Sequence, residues 1–332
     1  MKLYNLPFIL IYFLSNGMIL TSKESPDNLR VDLPTSKNAR VPKLQSLDVS
    51  FLRCNLTQKD IALYKNHVEL MNHADADIWQ RKFWNLYFYE KKNHPIIVGS
   101  ITDRKKFSLQ YQDKGLRFLD LPIYMPGQGW RIPEELKQFE EVINMAVNHE
   151  CLCLHDFEKD HYVYITVDQG FVEPHNSQRR PGFHADSYLK IDTTKSSFLP
   201  ILVDHVYIAY DSCPTIFAEG PFDIKNNAYP EDVMTVLKYF EKTAINTNKY
   251  FYPDYTLLRV DPYCVHDAGI NELDETIFRT FVKISFSKNK YAHLGNAHNN
   301  LFIYEWPLTL RKNVSYTKEA INQYKTNKLL FY

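Results

Sequence analysis

The residues best suited to chemistry lie in the stretch Gln178-Arg179-Arg180-Pro181-Gly182-Phe183-His184-Ala185-Asp186. It ends in His184-x-Asp186. On an extended strand, residues i and i+2 point to the same face. An imidazole and a carboxylate at that spacing can grip one metal ion from one side. A third ligand must come from elsewhere in the chain, and His266 in Val260-Asp261-Pro262-Tyr263-Cys264-Val265-His266 offers it. Two histidines and one carboxylate on one face of an octahedral ion leave three adjacent positions open. That arrangement suits ferrous iron and the activation of oxygen.

His-x-Asp alone is a common pair, and the chain contains a second one, His73-Ala74-Asp75. Geometry separates the two. His73 ends a helical pattern, where residues two apart point to nearly opposite sides. His184 follows a Pro-Gly turn and precedes β-type residues. The bland reading of His184 is a satisfied surface or core histidine. The setting of His266 adds weight to the metal reading. It sits on an apolar strand, followed by a turn and then by Arg279-Thr280-Phe281-Val282-Lys283-Ile284-Ser285-Phe286-Ser287. Period-2 alternation puts Thr280, Val282, Ile284 and Phe286 on one face, expected to pack on helices. Arg279, Phe281, Lys283 and Ser285 share the other. A cationic, hydroxylated face suits a barrel interior if an anion sits there, since a guanidinium matches a carboxylate in a two-point fork. Solvent exposure of that face is the ordinary alternative.

The elements that must position these residues read as follows. A chain of 332 residues makes one large domain or two modest ones. It holds 23 Tyr and 21 Phe, which suit half-buried strands and favour a β-rich core. Residues 22–50 are polar, with Pro26, Pro34 and Pro42, and read as an extended arm. A helical pattern follows from Thr57 to Met71, then an aromatic cluster of Trp79, Phe83, Trp84, Tyr87 and Phe88. Residues 96–124 carry short apolar runs and turn signals. Pro133 opens a helix to about His149, with Leu136, Phe139, Val142, Ile143 and Ala146 as its stripe. Strands are predicted at 161–168, 203–210, 215–218, 256–260, 264–268 and 279–287. Helices are predicted at 230–244 and from about Tyr316 to Lys325. A helix-rich half thus precedes a β-rich half.

His-x-Asp, a distant His, then Arg and Ser on the following strand resemble the Fe(II)/2-oxoglutarate-dependent dioxygenase superfamily, over roughly residues 160–290. The resemblance implies an α+β fold. Its core would be a double-stranded β-helix, or jelly roll, with a helix-rich N-terminal half and flanking helices. It implies Fe(2+) on His184, Asp186 and His266, and 2-oxoglutarate as cosubstrate with its distal carboxylate on Arg279. Ser285 would assist, Lys283 is the alternative cation, and Tyr164 can hydrogen-bond the cosubstrate. The activity implied is hydroxylation of an unidentified substrate with release of succinate and carbon dioxide. Two departures stand out: Asp186 and His266 are 80 residues apart, long for the family, and Arg279 lies 13 residues beyond His266. On this reading residues 1–50 form a tail, 51–150 a helix-rich region, 151–312 the catalytic core and 313–332 a C-terminal helix. The loop holding His293 and His298 can flank the pocket, with a plain polar turn as the favoured alternative, and His205 reads as a core or edge histidine.

Other classes are bounded by composition. Lys+Arg and Asp+Glu balance at 39 each, which gives no electrostatic support for nucleic acid or an anionic membrane. Leu6–Leu14 is too short to span a bilayer. Lys2, that apolar run and Ser15-Asn16-Gly17 nonetheless match a short signal peptide over residues 1–17. Sequons at Asn55 and Asn313 would matter only on that secreted alternative. The five cysteines show no disulfide or zinc spacing, although Cys151-Leu152-Cys153 is a CxC pair, and they read as reduced thiols in a cytoplasmic protein. Two further readings stay open: a cupin-like metal protein that does not use 2-oxoglutarate, and a non-enzymatic β-barrel binding protein. Substrate, small or macromolecular, is not legible.

Overall fold

The computed structural model describes residues 86–154, 157–186, 204–228 and 233–310. The helical pattern at 57–71, most of the aromatic cluster, the N-terminal arm, both sequons and the C-terminal helix lie outside these residues.

Ten strands form two antiparallel sheets among the described residues. They are β1 (Ile96–Ser100), β2 (Arg117–Met125), β3 (Gly129–Trp130), β4 (Tyr162–Val172), β5 (His205–Tyr210), β6 (Ile216–Ala218), β7 (Lys249–Tyr250), β8 (Thr256–Val260), β9 (Val265–Asp267) and β10 (Ile277–Ser287). The large sheet runs β1-β8-β5-β10-β4-β2-β3 and the small one β7-β6-β9. β10 lies at the centre of the large sheet and pairs along its length with β4, Lys283 opposite Thr166 and Ser285 opposite Tyr164.

Alternation along these strands decides what each face meets. Val163, Ile165 and Val167 of β4 join Val282, Ile284 and Phe286 of β10 in the main core. That core is closed by the helix α1 (Glu140–Cys153), through Val142, Ile143, Ala146, Val147 and Cys151. The expected helix after Pro133 is therefore present, although its first turns, Glu134–Phe139, are 3-10. The opposite face of the large sheet offers Val206, Ile208, Leu258 and Phe281, which pack on Phe217 and Cys264 next to the small sheet. The helix α2 (Val233–Ala244) covers the small sheet's outer side, setting Val236, Leu237 and Phe240 against Ala218 and Val265. The polar face of β10 thus looks between the sheets, as the alternation predicts.

The region read as helix-rich behaves differently in its described part. β1, β2 and β3 all come from residues 96–130 and supply both edges of the large sheet. β2 hides in the sequence because Asp120 and Pro122, poor strand formers, interrupt it. The structure absorbs them at register shifts between Phe118 and Leu121 and between Pro122 and Tyr124.

The reading of all cysteines as reduced is corrected. Cys153, Cys213 and Cys264 are free, but Cys151 is disulfide-bonded, its partner outside the described residues. Residues two apart on a helix point to different sides, so the CxC pair does not close on itself. No helix among the described residues is long and apolar enough to cross a membrane.

Candidate metal centre

His184 and His266 come from segments far apart in sequence and are joined by their backbones. The N–H of His184 donates to the carbonyl of His266 at 2.9 Å, and the N–H of His266 donates back at 2.8 Å. This antiparallel bridge sets the two imidazoles side by side, their ring centroids 4.6 Å apart and their planes tilted by 50°. Asp186, two residues on from His184, turns its carboxylate to the same spot, with Oδ1 3.9 Å from His184 Nε2. One ligand atom from each of His184, Asp186 and His266 lies within 4.8 Å of the others, and all three side chains are half-buried. These residues can hold a metal ion.

The imidazoles are prepared for that task. Nδ1 of His184 faces the carbonyl of Gly182 at 2.7 Å, and Nδ1 of His266 faces that of Cys264 at 3.0 Å. A carbonyl only accepts, so each Nδ1 carries the proton and each Nε2 offers its lone pair. Burial, with the neighbouring His266, lowers the pKa of His184 to about 4 against the pull of Asp186. The ring is neutral at neutral pH, the form a metal requires. The loop before His184 is pinned to the strand of His266: Asp267 Oδ1 accepts from Gly182 N and Ala268 N, each at 2.7 Å. Gly182 has φ +114°, where a side chain would be strained.

The polar face of β10 reaches the centre at one residue in particular. Lys283 Nζ lies 3.9 Å from Asp186 Oδ2 and 4.0 Å from Asp120 Oδ1. Ser285 follows on the same face, 1% exposed, and its Oγ has no hydrogen-bond partner among the described residues. A buried hydroxyl without a partner is costly and invites a ligand.

Arg279 is engaged elsewhere. Its guanidinium donates to Ser212 O at 2.8 Å, Gln178 Oε1 at 2.7 Å and Cys213 O at 3.0 Å. It clamps the turn between β5 and β6, where Cys213 has φ +48°. Tyr164 donates to Asn289 O and accepts from Tyr291 N, and its ring stacks on Tyr291 at 4.1 Å. Its hydroxyl thereby holds the loop after β10. His205 lies on the α1 side, with Nδ1 2.5 Å from Glu150 Oε1. His293 and His298 do flank a cavity of ≈ 480 Å³, together with Asp120, Tyr291, Tyr304 and Trp306.

Asp120 escapes a reading of the sequence. It occupies the bulge of β2 with φ +48°, is 7% exposed, and accepts from Thr166 Oγ1 at 3.2 Å. The only sequence signal is a carboxylate inside an apolar run, Leu119-Asp120-Leu121. A strained, buried acid beside a ligand cluster is a common mark of a functional site.

No protein-family model matches the chain, and no curated protein matches it. Among solved structures it is similar to EvdO2 from Micromonospora carbonacea var. aurantiaca complexed with 2-oxoglutarate: 12% identity, 46% of this chain and 65% of that one, TM-score 0.28. It is also similar to EvdMO1, at 11% identity over 61% of this chain and 49% of that one, TM-score 0.32. A third is the non-heme monooxygenase ThoJ as its Ni complex, at 11% identity over 52% and 64%, TM-score 0.23. The chain thus spans less than two thirds of the length of each.

Proposed function

We propose that this chain is an Fe(II)- and 2-oxoglutarate-dependent oxygenase built on a double-stranded β-helix. The observation that carries the reading is the convergence of His184, Asp186 and His266 on one spot from two segments 80 residues apart. Two imidazoles, each with Nδ1 on a backbone carbonyl, and one carboxylate make the donor set that suits ferrous iron with open positions. His184, Asp186 and His266 would hold the iron, which would supply oxygen activation coupled to decarboxylation of the 2-oxo acid to succinate and carbon dioxide.

The chain's own residues have separate tasks. Gly182 and Cys264 fix the imidazole tautomers through their carbonyls. Lys283 and Ser285 receive the distal carboxylate of 2-oxoglutarate, the ammonium by charge and the buried hydroxyl by donation. Arg279, the first choice from the sequence, acts at a distance by holding the β5–β6 turn.

The test is anaerobic addition of ferrous iron and 2-oxoglutarate to the full chain. The visible charge-transfer band of an iron-bound 2-oxo acid is expected, and it is lost in His266→Ala. Absence of iron binding sinks the reading. A second reading has its own support in the engagement of Arg279 by protein carbonyls: a cupin-like metal protein without a 2-oxo acid. Iron binding with no band, unchanged by Lys283→Ala, favours it.

A further inference from the structure

Lys283 belongs to two places at once. Its Nζ is near Asp186 of the metal centre and near Asp120, which forms part of the wall of the ≈ 480 Å³ cavity. That volume falls within the range of small-molecule sites, and one residue of its wall, Asp120, lies across Lys283 from Asp186. We propose that it receives the substrate and that the substrate presents a neutral, polyhydroxylated saturated ring, a sugar unit. The proposal rests on the oxygenase reading for its chemistry, but not for the binding itself.

The lining argues for this class by exclusion and by fit. Anions are opposed by the carboxylates of Asp120 and Glu305 on the wall. Two of the seats a cation would use are already taken: Lys283 faces Asp120, and Lys290 lies over the Trp306 ring at 5.9 Å. A planar aromatic ligand prefers a slot between parallel rings, and the neighbouring rings Tyr304 and Trp306 are not parallel. Tyr304 and Trp306 are tilted by 54°, and Trp306 stands at 70° to Tyr164. The parallel stacks are already filled, Tyr291 by Tyr164 and Tyr304 by His298. Rings set at an angle form a cup whose apolar walls meet the C–H faces of a puckered ring. Carboxylates and imidazoles around the same cup accept from and donate to hydroxyls. Neutral hydroxyl recognition by carboxylates and aromatic faces together is what this mixture provides.

The experiment uses the full chain, metal-free and loaded with Co(II). Saturation-transfer NMR and calorimetry are run with the methyl glycosides of glucose, galactose, mannose and xylose. Thymine, tetramethylammonium and inorganic phosphate serve as counter-probes. At least one glycoside is expected to bind above every counter-probe. Trp306→Ala should weaken it roughly tenfold, the loss of one ring contact. Co(II) affinity stays at the parent value. The exposed Glu305→Ala, which puts no demand on folding, should weaken it roughly threefold, the loss of one hydrogen bond. A preference for thymine or tetramethylammonium, no binding of any glycoside, or glycoside binding untouched by both variants overturns the proposal. Failure of Co(II) to bind the parent chain would instead overturn the oxygenase reading and leave the glycoside result to stand by itself.

Discussion

His184 and His266 are tied by a reciprocal pair of backbone hydrogen bonds, and Asp267 locks the loop of the first to the strand of the second through Gly182 N. The candidate metal ligands His184 and His266 are thus held by main chain as well as by side chains. Asp267→Ala removes that lock while leaving all three ligands in place. Metal affinity should fall about 10- to 100-fold, the usual effect of losing a group that orients ligands. Titration with Co(II), followed by its visible spectrum, reads the change. Asp267→Asn keeps an accepting oxygen and should recover most of the affinity. Equal loss in both variants would show that the lock is not what matters.

Lys283 and Arg279 share a face of β10 but do different work. Lys283→Ala should raise the 2-oxoglutarate concentration needed for the charge-transfer band by about tenfold to a hundredfold, with little change in melting temperature. Arg279→Ala should do the reverse. It leaves the carbonyls of Ser212 and Cys213 and the amide of Gln178 without their shared donor, at a cost of about 3 kcal/mol. Urea unfolding beside the spectral titration separates the two effects. A weakened band in Arg279→Ala at unchanged stability would restore Arg279 as the anchor.

Gly269 follows His266 by three residues and passes against the β5–β6 turn. A Cβ there would meet the Cys213 carbonyl oxygen at 2.0 Å, backbone that cannot step aside. Gly269→Ala should therefore cost about 3 kcal/mol or more, the upper end for overpacking. Thermal unfolding checks this, and a melting temperature equal to the parent's would refute it. The same contact explains how the turn clamped by Arg279 and the turn after His266 are kept together.

Much of this architecture is legible in the sequence, and the gaps have physical causes. β10 alternates in residue type, so its two faces can be read from period 2, whereas β8 is buried throughout and reads only as a short apolar run. The metal trio is readable because His184 and Asp186 are close in sequence and His266 lies on an apolar strand. What the pattern cannot give is position along the strand relative to the ligands on other segments. Arg279 and Lys283 are four residues apart on one face, and only the bridge between His184 and His266 decides which of them meets the metal ligands. Asp120 was hidden for a related reason. A bulge changes the direction of one side chain without changing the composition around it. The cavity is equally silent, because its rings come from a loop with no period of its own.

A last prediction concerns acid. His149 lies between α1 and the large sheet, its Nδ1 2.9 Å from the Tyr207 hydroxyl, and burial followed by the Arg259 charge lowers its pKa to about 3. In the unfolded chain the same ring titrates near 6.5. Between those values the unfolded state holds the extra proton, so stability is full above pH 6.5 and falls as the pH drops towards 3. The slope from this group is about 1.4 kcal/mol per pH unit in that window. Glu150 adds a second loss at lower pH. Burial alone would raise its pKa, but His205, Arg259 and Tyr207 hold it down at about 2, so its contribution begins to erode as the pH falls below the unfolded value of 4.5 and is lost as the pH passes through the folded one. Urea unfolding at a series of pH values should show the decline beginning near 6.5. His149→Asn, which keeps a polar partner for Tyr207, should flatten the upper part of the curve and leave the lower part in place. A parent curve level from pH 7 down to 5 would show that His149 is not held neutral by the fold.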